Sequence, residues 1–161
     1  FNADGRPHLR IEHRVMAAGP TIADMMANAI FYFGLVHGLA ESQEGADSRL
    51  PFPVAERNFY AAARYGLAAE VSWFGATRRR LDLLILHELL PLAARGLERA
   101  GVDAGEAAAG LAVIERRAAT GRTGAAWQQA YVQRYGPDFA GLLARYLEHQ
   151  EAGAPVHEWP L

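Results

Sequence analysis

Leu9-Arg10-Ile11-Glu12-His13-Arg14-Val15 alternates its side chains along the whole stretch, with every second position charged. On a β-strand successive side chains point to opposite faces, and residues two apart lie about 6.5–7 Å from each other on one face. The pattern therefore predicts a strand at about 8–16, with Arg10, Glu12 and Arg14 in one row and Ile11, His13 and Val15 behind it. The other long segments of the chain carry a 3.6-residue apolar period, so this strand makes the expected fold α+β rather than all-α. The row has two readings. It is a charged solvent face with cross-strand ion pairs, or it is a carboxylate and a guanidinium spaced to hold a divalent cation beside a transferred phosphoryl group.

After the strand, Gly19-Pro20 stops the extended chain and Thr21 with Asp24 forms a capping-box-like pair. A helix follows to about Ala40 or Glu41, with Ile22, Met25, Met26, Ala29, Ile30, Phe33, Val36 and Ala40 on its apolar stripe, and it is expected to be covered on most sides. Residues 42–53 read as an exposed loop or lid. A helix at about 54–65 ends at Gly66, and Ala69–Phe74 against Thr77–Arg80 predicts a hairpin turning at Gly75-Ala76. Leu81–Ala100 predicts a helix kinked at Pro91. Further helices are expected at about 103–119, 123–134 and 137–151, the last with Pro137 in its first turn, before an extended tail.

Composition narrows the function. Net charge is −2 over 161 residues, without the basic excess of a nucleic-acid or anionic-membrane binder. Zero Cys removes disulfides, thiol catalysis and thiolate metal sites, and is compatible with a cytoplasmic location. The apolar run Ile30–Leu39, broken by Gly34, His37 and Gly38, is too short to span a bilayer and reads as a buried helix. The length fits a single domain over 1–161. The chain starts at Phe1 without the n- or h-region of a signal peptide, and reads as an excised piece of something longer.

Several other groups have ordinary explanations. His87-Glu88-Leu89-Leu90-Pro91 starts like a zincin helix but lacks the second His, so it is taken as helix surface. Arg57, Asn58, Arg64 and Tyr65 share one helix, where a solvated basic face and a phosphate site are both open. Arg78-Arg79-Arg80 reads as solvated hairpin surface, with Arg79 turned away from its neighbours. Trp73, Trp127, Trp159, Tyr131 and Tyr135 read as packing, and Gly121-Arg122-Thr123-Gly124 as a helix cap.

Taken in order, His8–Val15 with Ala18-Gly19-Pro20-Thr21, Asp24, Ala27-Asn28-Ala29 and Gly34-Leu35 resembles the carboxy-terminal part of bacterial glutamate–cysteine ligase family 2 proteins. Asn58-Phe59-Tyr60-Ala61-Ala62-Ala63-Arg64-Tyr65-Gly66-Leu67, then Trp73 and Leu84–Leu90, extends the likeness over nearly the whole chain. The resemblance implies an ATP-dependent carboxylate–amine ligase. Its fold would be the carboxy-terminal part of a glutamine-synthetase-like fold, here one strand and a small hairpin packed with about six helices. It implies that ATP phosphorylates the γ-carboxylate of glutamate, after which the amine of cysteine displaces phosphate. Glu12 would then ligate Mg²⁺, Arg14 would act catalytically on the γ-phosphate or acyl phosphate, and Arg64 and Arg10 would contact phosphate or substrate. Partners are small molecules (ATP, glutamate and an amine), with no nucleic acid and no membrane, and self-association into a homo-oligomer is expected where an excised piece bares apolar surface. The amino-terminal region of such proteins supplies most metal ligands, so this polypeptide alone is expected to be inactive. The alternatives are a ligase joining glutamate to a different amine, and a non-catalytic helical interaction module.

Overall fold

The computed structural model describes residues 5, 7, 18–41, 50–75 and 77–161. The expected strand at 8–16, with Arg10, Glu12 and Arg14, lies outside the described residues, as do 42–49 of the expected loop.

Helix α1 (Ile22–Glu41) forms where expected. The Asp24 N–H donates to Thr21 Oγ1 at 3.2 Å and the Thr21 hydroxyl donates to Asp24 Oδ2 at 2.9 Å, which closes the first turn. The inward face is the reverse of the expected one. Thr21, Asp24, Ala27, Gly34 and Gly38 are buried, whereas Ile22, Met25, Met26, Phe33 and Val36 are exposed among the described residues. The reason is a close crossing with the helix that ends at Arg99. A β-carbon on Gly34 would stand 2.6 Å from the Ala93 carbonyl oxygen, one on Gly38 2.6 Å from that of Leu92, and one on Gly96 would overlap the Gly34 carbonyl. Backbones this near leave room for glycine and alanine only, so the bulky residues turn outward. By length and composition Ile22–Ala40, 19 residues at mean hydropathy 1.3, could cross a membrane. The shorter run Ile30–Leu39 understates it, and here the helix packs lengthwise on its neighbours.

Helix α2 (Phe52–Tyr65) starts earlier than expected, because Pro53 in its first turn lacks only an N–H that would be unpaired there anyway. Gly66 ends it at φ +56° and leads through a 3₁₀ turn (Gly66–Ala68) to β1 (Glu70–Val71). The expected hairpin shrinks to two residues per strand, β1 against β2 (Arg79–Arg80), with Glu70 opposite Arg80 and Val71 opposite Arg79. Asn58 replaces the missing ladder: its side chain donates to Ser72 O at 2.6 Å and accepts from Ser72 N at 3.0 Å. The next helix runs as α3 (Leu81–Leu84), a π-turn (Ile85–Leu89) and α4 (Leu90–Arg99). Pro91 has no N–H for the His87 carbonyl and its ring crowds that carbonyl, and the widened turn, closed by Leu90 N–H on Ile85 O, relieves the clash. The kink expected at Pro91 thus takes the form of a π-turn just before it.

Helices α5 (Ala104–Thr120), α6 (Gly124–Tyr135) and α7 (Phe139–Ala152) follow. Asp103, Thr123 and Asp138 cap them through side-chain oxygens, so Pro137 stands before the α7 cap rather than inside the helix. The tail is not simply extended: Val156–Glu158 makes a 3₁₀ turn, and Val156 and Trp159 are buried. One core joins α1, β1, α3, α4 and α5 around Ala27, Val71, Leu84, Leu89 and Ile114; a second stacks Trp127, Tyr131, Val156 and Trp159, with Tyr146 packed against them.

Asp24 links the two. It is fully buried; its Oδ2 also accepts from Val156 N–H at 3.1 Å, and its Oδ1 lies 3.8 Å from Arg117 Nε. Arg117 in turn donates to Asn28 Oδ1 at 2.8 Å. Burial pulls the Arg117 pKa down against the opposing pull of Asp24, while burial and then the Asp24 charge push the Tyr146 phenol up.

Candidate functional site

Of the four residues singled out from the sequence for binding and catalysis, the described part places one, Arg64, and sets it on the wall of a cleft of about 510 Å³. Three segments build this cleft. The end of α2 contributes Arg64, Tyr65 and Gly66. The β2–α3 junction contributes Arg80 and Asp82. The end of α5 and the start of α6 contribute Thr120, Gly121, Thr123, Ala125, Ala126 and Gln129. Arg64 is exposed and lies over the Tyr65 ring, its Cζ 5.3 Å from the centroid. Among the described residues no carboxylate pairs with it.

Arg80 is exposed, as read from the sequence, with its side chain 57% accessible, and it also borders the cleft. Alternation along β2 sends Arg79 to an ion pair with Glu88 and Arg80 to the cleft. Arg80 Nε donates to Asp82 Oδ1 at 3.2 Å and Nη2 to Oδ2 at 2.5 Å, a two-point grip. Donation from Arg80 holds the Asp82 carboxyl below its ordinary value despite partial desolvation, and the Asp82 hydrogen bonds and charge raise the already high Arg80 value. The neighbouring Leu83 N–H also donates to Asp82 Oδ1 at 2.8 Å.

Across the cleft, Thr123 caps α6: its Oγ1 accepts from Ala126 N at 3.2 Å and its carbonyl from Trp127 N at 2.9 Å. Gly121-Arg122-Thr123-Gly124 therefore caps a helix, as read from the sequence, and the same cap faces two arginines. First-turn N–H groups carry partial positive charge. The cleft thus offers guanidinium and hydroxyl donors to an oxyanion. It is less suited to a metal: its described carboxylate, Asp82, already serves Arg80 and Leu83, and no three His, Asp or Glu converge as a cation cage among the described residues. His87 is exposed in the π-turn, as expected of helix surface. Trp127, Trp159 and Tyr131 are buried packing, and Tyr135 is exposed. The sequence showed Arg80 turned away from Arg79 but not that it borders the Arg64 cleft, because the approach of the β2–α3 junction to the ends of α2 and α5 is set by tertiary packing.

In comparisons with known proteins, the model of glutamate-cysteine ligase family 2 (GCS2) matches residues 3–152. No curated protein and no solved structure matches the chain.

Proposed function

The chain belongs to glutamate-cysteine ligase family 2, a family of ATP-dependent carboxylate–amine ligases, and on that premise we propose that it works in forming γ-glutamylcysteine from glutamate and cysteine. The observation that carries this reading is the span of the family match, residues 3–152, within which Glu12, Arg14 and Arg64 fall. In the proposed reaction a γ-carboxylate oxygen of glutamate attacks the γ-phosphorus of ATP, and ADP leaves. The amine nitrogen then attacks the acyl carbon, phosphate departs, and the amine loses a proton. Mg²⁺, held by Glu12, would neutralise charge on the nucleotide phosphates. Arg14 would steady the phosphoryl oxygens as negative charge builds on them, with Arg10 beside it. Arg64, unpaired by any described carboxylate, would bind phosphate or substrate oxygens at the cleft.

The test is ADP release from Mg–ATP and glutamate with a panel of amines, run on the longest product of the gene and on the 161-residue chain. Cysteine-dependent ADP release from the longer protein, lost on Glu12→Gln, is the expected result. Faster release with another amine would reassign the acceptor, and no amine-dependent release at all would sink the ligase reading. The 161 residues alone are expected to show no turnover, since the family resemblance places most metal ligands upstream of them.

A further inference from the structure

We propose that Arg80 is the second guanidinium of an oxyanion site in the Arg64 cleft, so that a phosphoryl or carboxylate group binds between the end of α2 and the β2–α3 junction. The inference rests on the reading of this cleft as a substrate pocket and names the group that binds there.

Three observations carry it. Arg64 and Arg80 come from separate elements yet line one cleft of about 510 Å³, large enough for a small ligand group. Arg80 is held in place from behind: Asp82 takes two of its five N–H donors, and the remaining donors stay free for a second oxyanion. Finally, the facing wall carries no described carboxylate, and Thr123 at the α6 cap and Gln129 within α6 bring polar side chains to it, while the Thr120 hydroxyl is committed to the Arg116 carbonyl. The Asp82 charge is already answered by Arg80, so Arg64 brings the cleft's uncompensated positive charge, and Arg80 adds directional hydrogen bonds. A planar fork anchored on one edge by a carboxylate is preorganised to grip a tetrahedral or planar oxyanion on its other edge.

The test titrates the protein with inorganic pyrophosphate by isothermal calorimetry at low salt, with L-glutamate as a separate arm. Arg64→Ala and Arg80→Ala should each weaken pyrophosphate binding at least tenfold, Arg80→Lys should recover part of the loss, and Arg145→Ala, at an exposed arginine that does not line the cleft, should stay within about twofold of the parent. Glutamate competing with pyrophosphate would assign the site to carboxylates as well; pyrophosphate binding alone would assign it to phosphoryl groups. Melting curves of each variant confirm that the fold persists, and Arg80→Lys keeps the test valid if Arg80→Ala unfolds. Unchanged affinity in Arg80→Ala with loss in Arg64→Ala overturns the role of Arg80 and leaves the substrate-pocket reading. No pyrophosphate or glutamate binding, or an equal loss in Arg145→Ala, overturns the oxyanion site itself. Absent ADP release with anion binding intact would remove the ligase reading and leave the site standing.

Discussion

Asp24 ties residues 132 positions apart, because the same carboxylate that closes the first turn of α1 also receives the Val156 N–H of the C-terminal turn. Its capping role was legible from Thr21 three residues before it, while its bonds to Val156 and Arg117 were not, since nothing local marks a partner so distant. Replacing it leaves the Val156 N–H and the Thr21 hydroxyl without their acceptor and the Arg117 charge without its counter-ion in a buried site. Asp24→Ala should therefore cost about 3–5 kcal/mol of stability, the range for breaking a buried ionic contact from one side. Urea unfolding measures it, and a loss below about 1 kcal/mol would show the node to be dispensable. Asp82 gives a prediction with a sign. Its carboxyl titrates lower in the folded state than its ordinary 3.8, so it contributes stability at neutral pH that is lost as pH falls through and below that range. Asp82→Asn should flatten the acid limb of a pH–stability profile. A limb of unchanged slope would remove the coupling to Arg80.

At the scale of elements, the crossing of α1 on α4 decides which face of α1 is inside. Helix limits were readable because caps and breakers act within one turn: Thr21, Thr123 and Gly66 lie at or next to the observed ends. The inward face was misread because the apolar stripe through Ile22, Met26 and Phe33 is the stronger periodic signal, while close approach selects Ala27, Gly34 and Gly38. Gly96→Ala should be costly. Its new methyl would meet the Gly34 carbonyl, and overpacking of this kind costs about 1–3 kcal/mol, more where backbone must move. Differential scanning calorimetry should show a clear drop in melting temperature, with a much smaller one for alanine at the exposed Glu98. Equal effects would mean that the crossing is looser than the contact implies.

Among the described residues, clusters of apolar side chains face outward on several helices, with Ile22, Met26 and Phe33 on α1, Phe52, Phe59 and Tyr60 on α2, and Phe139, Leu143 and Leu147 on α7. Stripes of this extent favour association. Sedimentation should show concentration-dependent self-association that Met26→Glu with Phe33→Glu weakens without lowering the melting temperature; association at undiminished strength would show that another surface carries it. From the residues alone came the helical class with a small ribbon, the limits of most described helices and the caps at Thr21 and Thr123, because those depend on interactions within about four residues and on a period that any reader can count. The α1 face that packs inward, the second role of Asp24, the pairing of Asn58 with Ser72, and the meeting of Arg64 with Arg80 belong to the tertiary structure. Each depends on how closely two backbones approach or on which distant groups share one enclosed space, and no local pattern encodes that.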